Sequence, residues 1–236
     1  NNMRVAFIAF AGGVLVGLAY GLSWGLQGAI AFDFHEVAFA VPLLAFGLVA
    51  LAEQRWWAAF WWTVALVTVK EDLGLTVAAV GGYLLVRRQW RPGVGAVVIG
   101  AGAFLLTTLV LIPHLDHLFH TYRYWGVVTR AAPNTASVPG PGDVARLLAA
   151  LPHQLTVPGK ARLLLWVFGI TGFLALRSPL VVLTLPTVLW RLVASGPQYW
   201  STGPVHYNVV LMPMVFVALV DGLSRMTSRS GAVAAE

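Results

Sequence analysis

An all-helical bundle that crosses a membrane about eight times is the fold this sequence predicts, and three observations predict it. Of its 236 residues, 58% are hydrophobic and only 10% charged, where an ordinary soluble domain carries about 25% charged residues. The apolar residues gather into runs of helix-span length, parted by short charged turns. The arginines concentrate on alternate turns. A soluble core of this size has no room for so much apolar side chain, so a soluble enzyme is excluded, as are disordered, collagen-like and coiled-coil chains. There is no cysteine, which removes disulfides, thiolate metal sites and cysteine nucleophiles. The net charge of +6 reads as membrane topology. Its basic residues lie between apolar runs and form no stripe, so no nucleic-acid partner is expected.

Taken in order, the first span is expected over residues 5–26, too long for a signal peptide and without a cleavage pattern. The second covers 37–52 and stops at Glu53-Gln54-Arg55. Two short runs, 56–69 and 73–86, are parted by Lys70-Glu71-Asp72 and closed by Arg87, Arg88 and Arg91. Read as one helix, 56–86 would set three charges near mid-bilayer; a broken pair with its elbow in a polar cavity avoids that cost. The fifth span is expected over 93–113. Residues 114–162 form an extracytoplasmic loop. In it, 131–142 is rich in Pro, Gly, Ser and Thr and expected to be flexible. Asp143 is then expected to cap a short amphipathic surface helix carrying Val144, Leu147, Leu148 and Leu151. Spans at 163–176, 180–194 and 205–223 complete the set, ahead of a polar, frayed tail over 224–236. The chain 1–236 thus reads as one membrane domain.

If Arg4 is cytoplasmic and the spans alternate, then Arg55, Arg87, Arg88, Arg91, Arg177, Arg225 and Arg229 are cytoplasmic as well, as the positive-inside rule requires. This orients a multi-pass protein of the inner (plasma) membrane with both termini inside. It also places six of the nine acidic residues and all six histidines on the extracytoplasmic face. Ionisable groups gathered at one end of a bundle mark a candidate site.

The strongest candidates are Asp33-Phe34-His35-Glu36 and Lys70-Glu71-Asp72. Asp33 also fits a helix N-cap with Glu36 in the first turn, and Asp72 fits the N-cap of the next helix. Neither bland role accounts for His35 or for charges held between two short helices. Asp33 and His35 with Glu71 or Asp72 form one possible oxygen-and-imidazole set for a divalent cation; His114, Asp116, His117 and His120 form another. Lys70, Arg123, Arg130, Lys160, Arg162 and Arg191 supply outward cations. Arg191, inside an apolar run, must either snorkel to the interface or pair with an acid or a phosphate. Gln198, Tyr199, Trp200, His206 and Tyr207 precede the last span. Trp and Tyr near span ends, Tyr122 and Tyr199 among them, read as an interfacial aromatic belt.

The succession Phe32-Asp33-Phe34-His35-Glu36, an apolar helix, a basic turn, and Val69-Lys70-Glu71-Asp72 resembles a family of bacterial and archaeal predicted membrane proteins, domain of unknown function 2079. Leu176-Arg177-Ser178-Pro179, Leu185-Pro186, His206-Tyr207 and Met212-Pro213 agree with it, and the likeness covers most of residues 15–223. That family is in turn similar to the GT-C membrane glycosyltransferases, which transfer a sugar from a polyprenyl-phosphate carrier at the outer face. The resemblance implies a carboxylate base, here Asp33, Glu71 or Asp72. It implies substrate contacts from His35, Glu36, Lys70, Arg162, Arg191, His206 and Tyr207. It also implies membrane lipid and a polyprenyl-phosphate-linked sugar as partners. GT-C enzymes carry their usual acidic base in a large loop after the first span. Here the first span runs straight into Asp33, so the chain is expected to be the C-terminal part of a longer protein. A membrane transporter or a lipid-ligand-binding partner subunit is the alternative.

Overall fold

A computed structural model describes residues 2–118, 120–129, 137–194, 196–203 and 205–233. Regular structure is entirely helical among them. The chain opens with α1 (Asn2–Gly21), breaks at Leu22 and Ser23, and resumes as α2 (Trp24–Ala31). A 3-10 turn, Glu36–Phe39, leads into α3 (Ala40–Ala52), and α4 (Trp56–Val64) returns beside it. After a further 3-10 turn and the Lys70 elbow come α5 (Leu73–Val86) and its tight antiparallel partner α6 (Trp90–Leu106). The chain therefore breaks within 56–86, as the charge pattern predicts.

Both hairpins turn by the same local device. Gln54 and Arg88 adopt φ of 60° just past α3 and α5. The next amides reach back along the chain, Arg55 N to Ala50 O and Gln89 N to Leu84 O, at 2.8 and 2.9 Å. These are Schellman closures, which satisfy the carbonyls a helix leaves open at its C-terminus.

Beyond α6 the helix loosens into a π turn, Thr107–Leu111, before α7 (Ile112–Leu115). Pro113 cannot donate into the ladder, and the Thr108 hydroxyl bonds back to Phe104 O at 2.7 Å; both favour such a bulge. α8 (Trp125–Thr129) is a single turn, followed by α9 (Pro141–Leu155) and α10 (Pro158–Gly169). The expected surface helix exists, but it starts at Pro141. Asp143 caps it from inside the first turn by accepting from Gly140 N at 2.8 Å. Arg130 and residues 131–136, most of the stretch expected to be flexible, lie outside the described residues.

The span expected over 163–176 is interrupted. α10 stops at Gly169, and Gly172 and Phe173 take left-handed φ of 55° and 61°. Short 3-10 turns, Leu174–Arg177 and Pro179–Thr184, then lead into α11 (Leu185–Val193). α12 (Pro197–Trp200) and a 3-10 turn at His206–Asn208 precede α13 (Leu211–Val233). The tail expected to fray from residue 224 is helical to Val233.

Among the described residues, three helical stretches are long and apolar enough to cross a membrane: Phe10–Ala31, Trp90–Leu115 and His206–Thr227. Glu36–Ala52, Leu73–Val86 and Pro179–Val193 are shorter apolar helices. The last long stretch is 61% buried within the protein, against 17% for each of the other two. It is therefore the central post, and the other two turn most of their apolar surface outward, as a lipid-facing helix does. Met212, Val215 and Ala218 are fully covered, and α13 packs on α3, on both 3-10 turns before α11, and on α1 and α10.

Candidate functional site

The charged elbow sits where α5 begins. Asp72 occupies the N-cap position, but its carboxylate accepts nothing from the helix. Its Oδ1 is buried and has no hydrogen-bond partner among the described residues. Helix capping therefore does not explain Asp72. Likewise Asp33 does not cap. The following turn starts at Glu36 with His35 at the N-cap, and Asp33 is exposed.

Each neighbour of Asp72 is engaged from a distant part of the chain. Lys70 Nζ donates to Glu36 Oε1 at 3.2 Å, which joins the two polar motifs directly. Tyr122 Oη donates to Glu71 Oε1 at 3.1 Å, and the tyrosine is buried. Burial pushes the Asp72 carboxyl up to about 6, with the Glu71 charge adding to the rise and Lys70 opposing it. Burial alone would lower Lys70, but Asp72, Glu36 and Glu71 outweigh it and hold the ammonium above its ordinary range. Tyr122 is pushed well up by burial and by the two carboxylates, so it stays a donor.

Arg191, near the end of α11, completes the wall. It does not snorkel: it is 2% exposed, with Nε donating to Tyr199 O and Nη2 to Ser201 O at 3.3 Å. Its Nη1 is buried with no partner among the described residues. Asn208 Nδ2 also donates to Ser201 O, which ties the loop to the start of α13. Lys160 fixes the end of α11: its ammonium donates to Leu192 O and Ala194 O and lies 4.6 Å from the centre of the Trp200 ring. It serves the open carbonyls of a helix C-terminus rather than a ligand.

Lys70, Glu71, Asp72, Arg191, His206 and Tyr207 thus line one partly open pocket, with space of about 40 Å³, room for about three waters. Tyr122, Tyr124, Trp190 and Tyr199 complete it as an aromatic wall. Asp33 and His35 line an adjoining pocket that shares Val37 and His206 with the first. The His35 and His206 rings stack at 3.8 Å across that boundary. Arg162 is exposed on α10 and lines neither pocket. Neither metal set forms: among the described residues no three His, Asp or Glu side chains come together in a way that would hold an ion. The His114 group fails because it spans the end of α7 and the turn after it rather than one helical face. Tyr122 and Tyr199 do more than the belt role expected of them.

Fold and pocket together define a helical membrane protein with a charged pocket beside its central helix. The chain belongs to the family described as predicted membrane protein, domain of unknown function 2079 (DUF2079), whose model matches residues 11–233. Comparison with curated proteins and with solved structures gives no significant match.

Proposed function

We propose that the pocket handles a polyprenyl-phosphate-linked sugar at the extracytoplasmic face, in the manner of the GT-C membrane glycosyltransferases. The observation that carries this reading is the pairing, in one pocket, of a buried carboxylate oxygen without a partner on Asp72 and a buried guanidinium nitrogen without a partner on Arg191, among the described residues. Inverting transfer needs a base for the acceptor hydroxyl and cations for the departing phosphate. In this reading Asp72 takes the proton, with Glu71 and Tyr122 holding the elbow. Lys70 and Arg191 receive the phosphate, and the tyrosines and Trp190 offer flat faces with polar ends to a sugar ring. Asp33, His35 and Glu36 flank the acceptor side. The inner space of the pocket is smaller than a sugar ring, so in this reading the ring rests at the open side, against the aromatic wall. That small space also favours a second reading, a transporter whose broken helices at 65–73 pass a small cation.

Glu71→Gln is the discriminating variant. An amide oxygen still accepts from Tyr122, so folding in detergent should be retained, while the negative charge beside Asp72 and Lys70 is lost. Thermal stabilisation by a polyprenyl-phosphate sugar should weaken at least about tenfold, or about 1.4 kcal/mol. Equal stabilisation of wild type and variant removes the elbow from the site. Absence of stabilisation by any lipid-linked sugar moves the weight to the transporter.

The proposed topology has about eight crossings, both termini in the cytoplasm and this pocket outside the inner membrane. Cysteines placed at Arg55, Arg88 and Arg177 of this cysteine-free chain should resist an impermeant thiol reagent in intact cells. Labelling of the Arg88 position from outside would reverse the orientation.

A further inference from the structure

The far end of α5 carries a second polar feature. Arg87 follows α5 directly, while the Lys70 elbow precedes it, so the two lie at opposite ends of one helix. There an open groove of about 1260 Å³ runs between α5, the 3-10 turns before α11, α11 itself and α13. Three arginines line its mouth: Arg87, Arg177 and Arg225. No carboxylate lines it among the described residues.

One acid, Asp221, reaches an arginine of the mouth and a serine of the neighbouring turn. Asp221 Oδ2 accepts from Ser178 Oγ at 2.6 Å and from Arg225 Nε at 2.7 Å. That contact neutralises Arg225 in part and holds α13 against the turn at Ser178. Arg87 lies only 5.9 Å from the Trp56 ring centre, and Arg177 is exposed with no ion pair among the described residues. The mouth therefore keeps an uncompensated positive charge on planar, bidentate donors, the group best matched to a phosphate.

Behind the mouth the groove is apolar. Val182, Leu185 and Leu189 are each more than 40% exposed along one side. From Arg177 to Leu189 the chain rises about 20 Å, more than one leaflet of a bilayer whose core is about 30 Å thick. The geometry points to an anionic glycerophospholipid bound here, its headgroup phosphate on Arg87 and Arg177 and one acyl chain along Val182 to Leu189. A basic mouth opening onto an apolar inter-helix groove is the physical form of an anionic-lipid site. Its leaflet, the cytoplasmic one, rests on the orientation proposed above; the binding does not.

The test uses the purified full chain, delipidated in neutral detergent. Phosphatidylglycerol should raise the melting temperature, and phosphatidylcholine with the same acyl chains should do so at least about tenfold less effectively by concentration. The double variant R87Q/R177Q should melt like wild type without lipid but lose that preference. Val182→Trp, which fills the groove from an exposed position, should lose binding of both lipids while keeping its arginines. Equal response to the two lipids, an unchanged preference in R87Q/R177Q, or full competition by glycerol phosphate would each overturn the assignment. The last would leave a phosphate-ion site without a lipid.

Discussion

Asp72→Asn should make the protein more stable at pH 7.5, by up to about 3 kcal/mol, and at the same time weaken lipid-linked sugar binding at least about tenfold. The stabilisation follows from the direction of the pKa. The folded value of about 6 lies above the ordinary 3.8, so between those values the folded state holds the proton that the unfolded state releases. Stability then falls as pH rises from about 4 to about 6, and the whole penalty is present above that. A rise of that size corresponds to about 3 kcal/mol. An amide carries no charge to bury, so the variant should lose both the penalty and its pH dependence. Unfolding in detergent at pH 4.5, 6 and 7.5 measures this. A variant less stable than wild type at pH 7.5 would show that the Asp72 charge supports the fold. Gain of stability with loss of binding is the signature of a strained functional group.

The second large effect is destructive. Gly100→Val should cost about 3 kcal/mol or more and abolish ligand binding with it, because α5 and α6 touch backbone to backbone. A Cβ at Gly100 would lie 2.5 Å from Gly74 O and 2.6 Å from Ala78 N. One at Gly74 would lie 2.6 Å from Gly100 O, and one at Gly81 would lie 2.6 Å from Val97 N. Backbone atoms cannot rotate aside, so the helices must part. The cost falls at or beyond the upper end of ordinary overpacking. Because Asp72 stands at the head of α5, the elbow would move too. Gly82→Ala, on the same helix with nothing within 4 Å of its Cβ position, is the control. It should be neutral or stabilise by up to about 1 kcal/mol. Comparable losses at both positions would mean that helix propensity, not close packing, sets the effect.

Much of the site is legible in the amino-acid order. Lys70, Glu71 and Asp72 are conspicuous because three charges between two short apolar helices must find polar surroundings. Their link to Glu36 follows from putting both motifs at one end of the bundle. Tyr122 is not legible as a partner. It lies 51 residues from Glu71, and a lone tyrosine near a span end has an ordinary interfacial reading. Lys160 gives no signal either, since its acceptors are main-chain carbonyls that any sequence supplies. Arg191 stands out as anomalous, but snorkelling and pairing predict the same sequence. The fold takes neither course: the Tyr199 and Ser201 carbonyls, main-chain groups that no sequence pattern signals, accept from the buried guanidinium.

Composition and local pattern are enough to establish the class of protein: helices, the places where charge interrupts them, and an apolar exterior. Each of these follows from a single stretch of chain, because water and lipid act on each segment alone. Which helix stands at the centre, and which polar groups end up without partners, depends on how the segments pack. The most apolar long stretch, Trp90–Leu115, is not the buried one, and in lipid helix association turns on how closely backbones and small residues fit, not on hydrophobicity. That fit puts α13 inside and presses Gly74 against Gly100. It also leaves Asp72 and Arg191 facing one pocket from positions 119 residues apart in the chain.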